Sequence, residues 1–157
     1  MRLRLGLLAA VLAALAATAS GCGVRLEAVQ LKVDVTDGSM RLVKPESGRY
    51  AGGEVVITIV NNTDQRRQFT LARTDASPKH LPRDVLDAYS DRDDKRVVAV
   101  SGVMRAASVE LAFGALPQPR PTETKLHVYL HEGDQYVLFD RLGGYRNGLA
   151  LKLRARG

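Results

Sequence analysis

Hydrophobic residues recur at every second position through most of the chain after residue 28, the period of strands with one buried face. Residues 28–35 set Val29, Leu31, Val33 and Val35 against Gln30, Lys32 and Asp34, which predicts a half-buried strand. Asp37-Gly38 then turns the chain. Residues 40–43 predict a second strand, closed by Pro45-Glu46-Ser47-Gly48. Gly52-Gly53 opens a third, 54–60, which is apolar on both faces and is expected at the centre of a sheet. After the turn Asn61-Asn62-Thr63-Asp64, Phe69 and Leu71 point inward on the next strand. Residues 96–100, 108–113 and 125–130 extend the strand list, with Pro117, Pro119 and Pro121 stiffening the connection before the last of these.

One stretch breaks the alternation. Across 77–88, Leu81, Val85 and Ala88 fall at helical spacing, which predicts one short helix over an end of the domain. The mixed-charge loop 91–96 follows. Asp91, Asp93 and Asp94 lie close together there, but a calcium loop needs Gly at its sharp turn and a closing Glu, and neither is present.

The chain closes with strand, Gly-rich loop and strand across 133–153. Tyr136, Leu138 and Asp140 share one face of the first strand; Leu149, Leu151 and Leu153 share one face of the second, while Ala150, Lys152 and Arg154 point away. An inward Asp140 at the end of an apolar face is unexpected. Short strands with turn signals every 10–15 residues or so, and no internal repeat, predict an all-β fold: one antiparallel Greek-key β-sandwich.

The N-terminus follows other rules. Arg2 and Arg4 precede residues 5–17, an uninterrupted apolar or small run. That is shorter than the about 20 residues a bilayer span needs, so it reads as an export signal. The run ends in Ala19-Ser20-Gly21-Cys22, which resembles a bacterial lipobox, with Ala19 where Leu is usual. The resemblance implies that the Cys22 thiol takes a diacylglycerol and becomes the mature N-terminus. The expected organisation is then a lipoprotein signal peptide at 1–21, a lipidated Cys with a short tether at 22–27, and the sandwich at 28–157. Two or three acyl chains on one residue anchor stably where one holds only marginally. The membrane is the expected partner, and the expected location is extracytoplasmic. Cys22 is the only cysteine, so no internal disulfide staples the domain.

The formal charge is +6, and loss of 1–21 removes Arg2 and Arg4, leaving 21 basic against 17 acidic side chains. Export and the lack of Lys/Arg runs interleaved with aromatics argue against nucleic acid as a partner. Anionic headgroups beneath a tethered domain are the natural counter-charge.

Two stretches resemble the cupredoxins, the small blue-copper sandwiches. In that family the closing segment runs roughly Gly-x-Tyr-x-Phe-x-Cys, a short loop ending in Gly-His, then Gly-Met and a last strand; here Gly133, Tyr136, Leu138, Asp140, Gly144, Tyr145, Gly148 and Leu149 hold those places. Residues 53–71 resemble the other signature, a strand ending in Asn followed by a turn and His-x-Phe-x-Leu, with Arg67 in the His place. The resemblance implies a cupredoxin-like fold and puts the copper-ligand positions on Arg67, Asp140, Tyr145 and Leu149. A blue-copper site needs a thiolate, two imidazoles and a weak axial thioether, so the resemblance withholds the metal and no cofactor is expected. It implies instead that Arg67 and Asp140 approach each other as an ion pair, with Leu149 on the apolar side and Tyr145 covering the pair or donating its hydroxyl to it.

Other chemistry is sparse. His127 and His131 fall on one strand face with Tyr129, opposite Leu126, Val128 and Leu130, about 13 Å apart by strand rise and expected to face solvent. His80 stands alone, and Met40 and Met104 read as packing. There is no Gly-x-Ser-x-Gly elbow, His-Glu-x-x-His or phosphate loop, so no enzyme is expected. The reading is a membrane-anchored extracytoplasmic lipoprotein, a non-catalytic binding or interaction module with a degenerate copper site and a membrane-protein or cell-envelope partner. The alternative is copper handling or electron transfer through a non-standard site drawn from His80, His127, His131, Met40 and Met104. A third is an accessory subunit of a membrane-embedded complex.

Overall fold

A computed structural model describes residues 27–74, 95–110, 118–142 and 149–156. The strands there are β1 Val29–Thr36, β2 Ser39–Lys44, β3 Gly53–Asn61, β4 Phe69–Arg73, β5 Val97–Val100, β6 Ser108–Glu110, β7 Gln118–Arg120, β8 Thr122–Leu130, β9 Gln135–Asp140 and β10 Ala150–Arg154. They form one sheet of order β2-β1-β3-β8, a second of order β10-β9-β4-β5, and a small β6-β7 ribbon. The fold is an all-β sandwich. No helix occurs among the described residues; the short helix expected at 77–88 lies outside them.

The core forms where the inward faces of the two sheets meet. Leu31, Val33, Val35, Ile57 and Ile59 from the first pack with Phe69, Leu71, Tyr136, Leu138 and Leu153 from the second, all of them buried. Burying such a side chain contributes about 1.5–3 kcal/mol, and a domain without disulfides depends on this term. β3 lies between β1 and β8, which is why Val56 and Val60 on its other face are also buried. β9 goes further, since Val137 and Phe139 are buried as completely as Tyr136 and Leu138.

Not every pairing is antiparallel. β1 and β3 run parallel, Val29 opposite Val55 through Val35 opposite Asn61. The cause is topological: the β1–β2 hairpin returns the chain to the end where β1 began, and residues 45–52 carry it round so that β3 starts there too, with β1 between β2 and β3. The β7 ribbon strand is also absent from the sequence expectation. Its Pro119 cannot donate to a ladder, yet it pairs with Val109 in a short two-stranded ribbon, the setting in which proline is tolerated.

At the end where β1 and β3 start, Gly53 (the first residue of β3) lies opposite Leu130, the last of β8. Gly133 closes the β8–β9 turn at a positive φ of 81°, a conformation that favours glycine. Gly52 is held by space: a Cβ there would stand 2.9 Å from both the Glu132 amide nitrogen and the Leu130 carbonyl oxygen.

Candidate functional site

The candidate site lies at the opposite end, where β9 stops and β4 begins. Asp140 is the last residue of β9 and stands opposite Phe69, the first of β4. By strand parity it follows Tyr136 and Leu138 onto the core side, and it has no exposure. Arg67 sits two residues before Phe69 on the same inward parity. Its backbone is fixed by reciprocal bonds with Met104, the Arg67 amide donating to the Met104 carbonyl at 3.2 Å and the Met104 amide to the Arg67 carbonyl at 2.7 Å.

These two constraints bring the charges together. Arg67 Nη1 donates to Asp140 Oδ2 at 2.8 Å, with side chains only 6% and 0% exposed. Asp140 Oδ1 accepts the backbone N–H of Leu142 at 3.0 Å and of Gln68 at 3.3 Å. Both carboxylate oxygens are therefore engaged, as a buried charge requires. Leu149 is buried beside the strand end, its carbonyl accepting the Asp140 amide at 3.1 Å. Tyr145 lies outside the described residues.

A hydrogen-bonded loop frames the pair. Arg67 Nε donates to Thr63 Oγ1 at 3.2 Å, and the Thr63 hydroxyl donates to Asn61 Oδ1 at 2.8 Å. Asn61 Oδ1 also accepts the Thr63 amide, while Nδ2 donates to the Gln65 carbonyl at 2.9 Å and the Arg105 carbonyl at 3.0 Å. Gln68 Nε2 donates to the Ser101 carbonyl, and Ser101 Oγ accepts the Phe69 amide at 2.8 Å. Asn61, Thr63, Gln68 and Ser101 were not among the expected site residues. A signal existed for the first: Asn61 continues the inward parity of Ile57 and Ile59, and a polar residue there must find partners.

Arg67, Asp140 and Leu149 do not make a copper donor set. A guanidinium is a permanent cation with no lone pair to offer, Asp140 already accepts three hydrogen bonds, and leucine has no donor atom. The thiolate and imidazoles of a blue-copper centre have no counterpart among Arg67, Asp140 and Leu149. The remaining candidates stay apart. Met40 and Met104 are packed in the core; His127 and His131 are exposed, His131 meeting Tyr129 edge-on at 5.1 Å between ring centroids. His80 lies outside the described residues. Among the described residues no three His, Cys, Asp or Glu side chains gather as a metal cluster, and no helix is long and apolar enough to cross a membrane.

The two four-stranded sheets form a β-sandwich whose fold is cupredoxin-like. Solved structures agree on the fold. The chain is similar to the dithionite-reduced auracyanin of Roseiflexus castenholzii, with 10% identity and a TM-score of 0.52 over 83% of this chain and 98% of that one. It is similar to auracyanin B at 13% identity and a TM-score of 0.52, over 83% and 90% of the two chains. No protein-family model matches the chain, and no curated protein matches it.

Proposed function

We propose that the chain is an extracytoplasmic lipoprotein, anchored through Cys22 after loss of residues 1–21, whose sandwich serves as a non-catalytic binding or interaction module. The observation that carries the reading is the Arg67–Asp140 pair. It fills, with a closed set of hydrogen bonds, the place where the cupredoxin resemblance puts metal ligands. A carboxylate with both oxygens engaged is a poor general base or ligand, so this end supplies architecture and a surface. Leu142 and Val103 are exposed beside it.

The anchor is tested by Cys22→Ser. The variant is expected in the soluble fraction, or retained with residues 1–21 uncleaved, where the parent floats with the membrane. A cleaved Cys22→Ser chain that still sediments with membranes would remove the lipoprotein reading.

A further inference from the structure

We infer that the end of the sandwich where the chain enters is a docking surface for anionic phospholipid headgroups; this rests on the lipid-anchor reading above and deepens it. Two adjoining clefts lie there. One, of about 460 Å³, is lined by Arg49, Tyr50, Ala51 and Arg156. The other, of about 370 Å³, is lined by Gly133, Arg154, Ala155 and Arg156. The backbone ties them into one surface, since the Arg156 amide donates to the Tyr50 carbonyl at 2.9 Å and the Gly133 amide to the Ala155 carbonyl at 3.3 Å.

The electrostatics favour an anion. Arg49, Arg154 and Arg156 are exposed, and among the described residues no carboxylate pairs with any of them. The neighbouring Arg73 differs, because Asp134 lies 3.4 Å from its Nη1. Guanidinium groups match phosphate oxygens in a planar two-point geometry. Tyr50 backs the first cleft with its hydroxyl buried away from solvent; burial, with the Tyr136 phenol adding to it, pushes its pKa well above the ordinary 10.0 and keeps it neutral, so the arginines supply the contacts to phosphate. Glu54 and Glu132 are exposed at the same end and oppose an anionic surface, which supplies a control of opposite sign.

The source of the phosphate is fixed by where the chain leads. β1 starts at Val29, opposite Val55, and Gly53 lies opposite Leu130, so the link to Cys22 leaves from the end that holds the clefts. Five residues extend at most about 15–20 Å, within about two Debye lengths at physiological salt. An anchor that short holds the arginines at high effective concentration against the surface. The Arg67–Asp140 end then points away from the bilayer.

The test reconstitutes the full chain into vesicles of phosphatidylcholine alone, or with phosphatidylglycerol added, and follows amide hydrogen exchange. The amides of 49–51 and 154–156 are expected to exchange more slowly only where phosphatidylglycerol is present, and raised salt should remove the difference. A basic residue near an anionic surface contributes about a five-fold factor in binding, so Arg154→Gln with Arg156→Gln should cut the protection by about 25-fold, and Glu132→Gln should increase it. Equal exchange in both vesicle types, protection at 103 and 142 instead, or the same protection from inorganic phosphate without vesicles would overturn the proposal. The mass of the Cys22 peptide reads the acyl chains separately, so failure of the anchor and failure of the docking surface are told apart.

Discussion

Asp140→Asn is expected to lower the unfolding free energy by about 3–5 kcal/mol, the cost of breaking a buried ion pair by neutralising one partner. Asn keeps the shape and still offers one oxygen to the Leu142 and Gln68 amides, which accounts for two of the three bonds to Asp140 described above. Its Nδ2 then faces Arg67 Nη1, a donor against a donor across the 2.8 Å contact, and Arg67 is left as an uncompensated charge with a 6% exposed side chain. Arg67→Met combined with Asp140→Leu should lose less than Asp140→Asn alone, because neither charge is left uncompensated, and the remaining loss comes from the Gln68 and Leu142 amides, which no longer have the Asp140 carboxylate as acceptor. Urea denaturation of the purified chain measures both. An Asp140→Asn protein as stable as the parent would contradict the buried-pair account.

Asn61→Ala carries the second large effect. The side chain is fully buried and holds four hydrogen bonds, two as donor to the Gln65 and Arg105 carbonyls and two as acceptor from Thr63. Each buried partner left unsatisfied costs about 1–3 kcal/mol, and water entering the part-buried side offsets some of it, so a total loss of about 3–5 kcal/mol is expected. The damage should be local as well. Thr63 loses its acceptor and with it the geometry that holds Arg67 Nε at 3.2 Å, so amides 62–67 should exchange faster than the core strands in the variant. A loss below about 1 kcal/mol, the worth of one ordinary hydrogen bond, would mean the network is not cooperative.

Much of the fold is legible in the sequence because a strand's side-chain period is two. The alternation from Val29 to Val35 and the two-sided apolar run of 54–60 give β1 and the interior position of β3, since burial on one face or both leaves its mark in the residues themselves. The inward charges at Arg67 and Asp140 are legible for the same reason, each continuing a face set by Phe69 and Leu71 or by Tyr136 and Leu138. Strand order is not. Parity says which face a residue takes and nothing about which neighbour lies beside it, so the parallel β1–β3 pair follows only from the path of residues 45–52. β7 is hidden because Pro119 contradicts strand propensity, and a two-stranded ribbon is the context that tolerates it. The polar frame around the pair is hidden for a further reason: Thr63, Gln68 and Ser101 look like ordinary turn and loop residues until three separate segments are brought together.

The central claim is that the Arg67–Asp140 ion pair occupies the place where the cupredoxin resemblance puts copper ligands. Titrating the purified chain with cupric ion, followed by visible absorption and by thermal unfolding on the same samples, tests it most directly. The account predicts no intense blue absorption and no upward shift in the unfolding temperature at one equivalent of copper. A tight one-to-one complex that stabilises the fold and is lost in Asp140→Asn would contradict it.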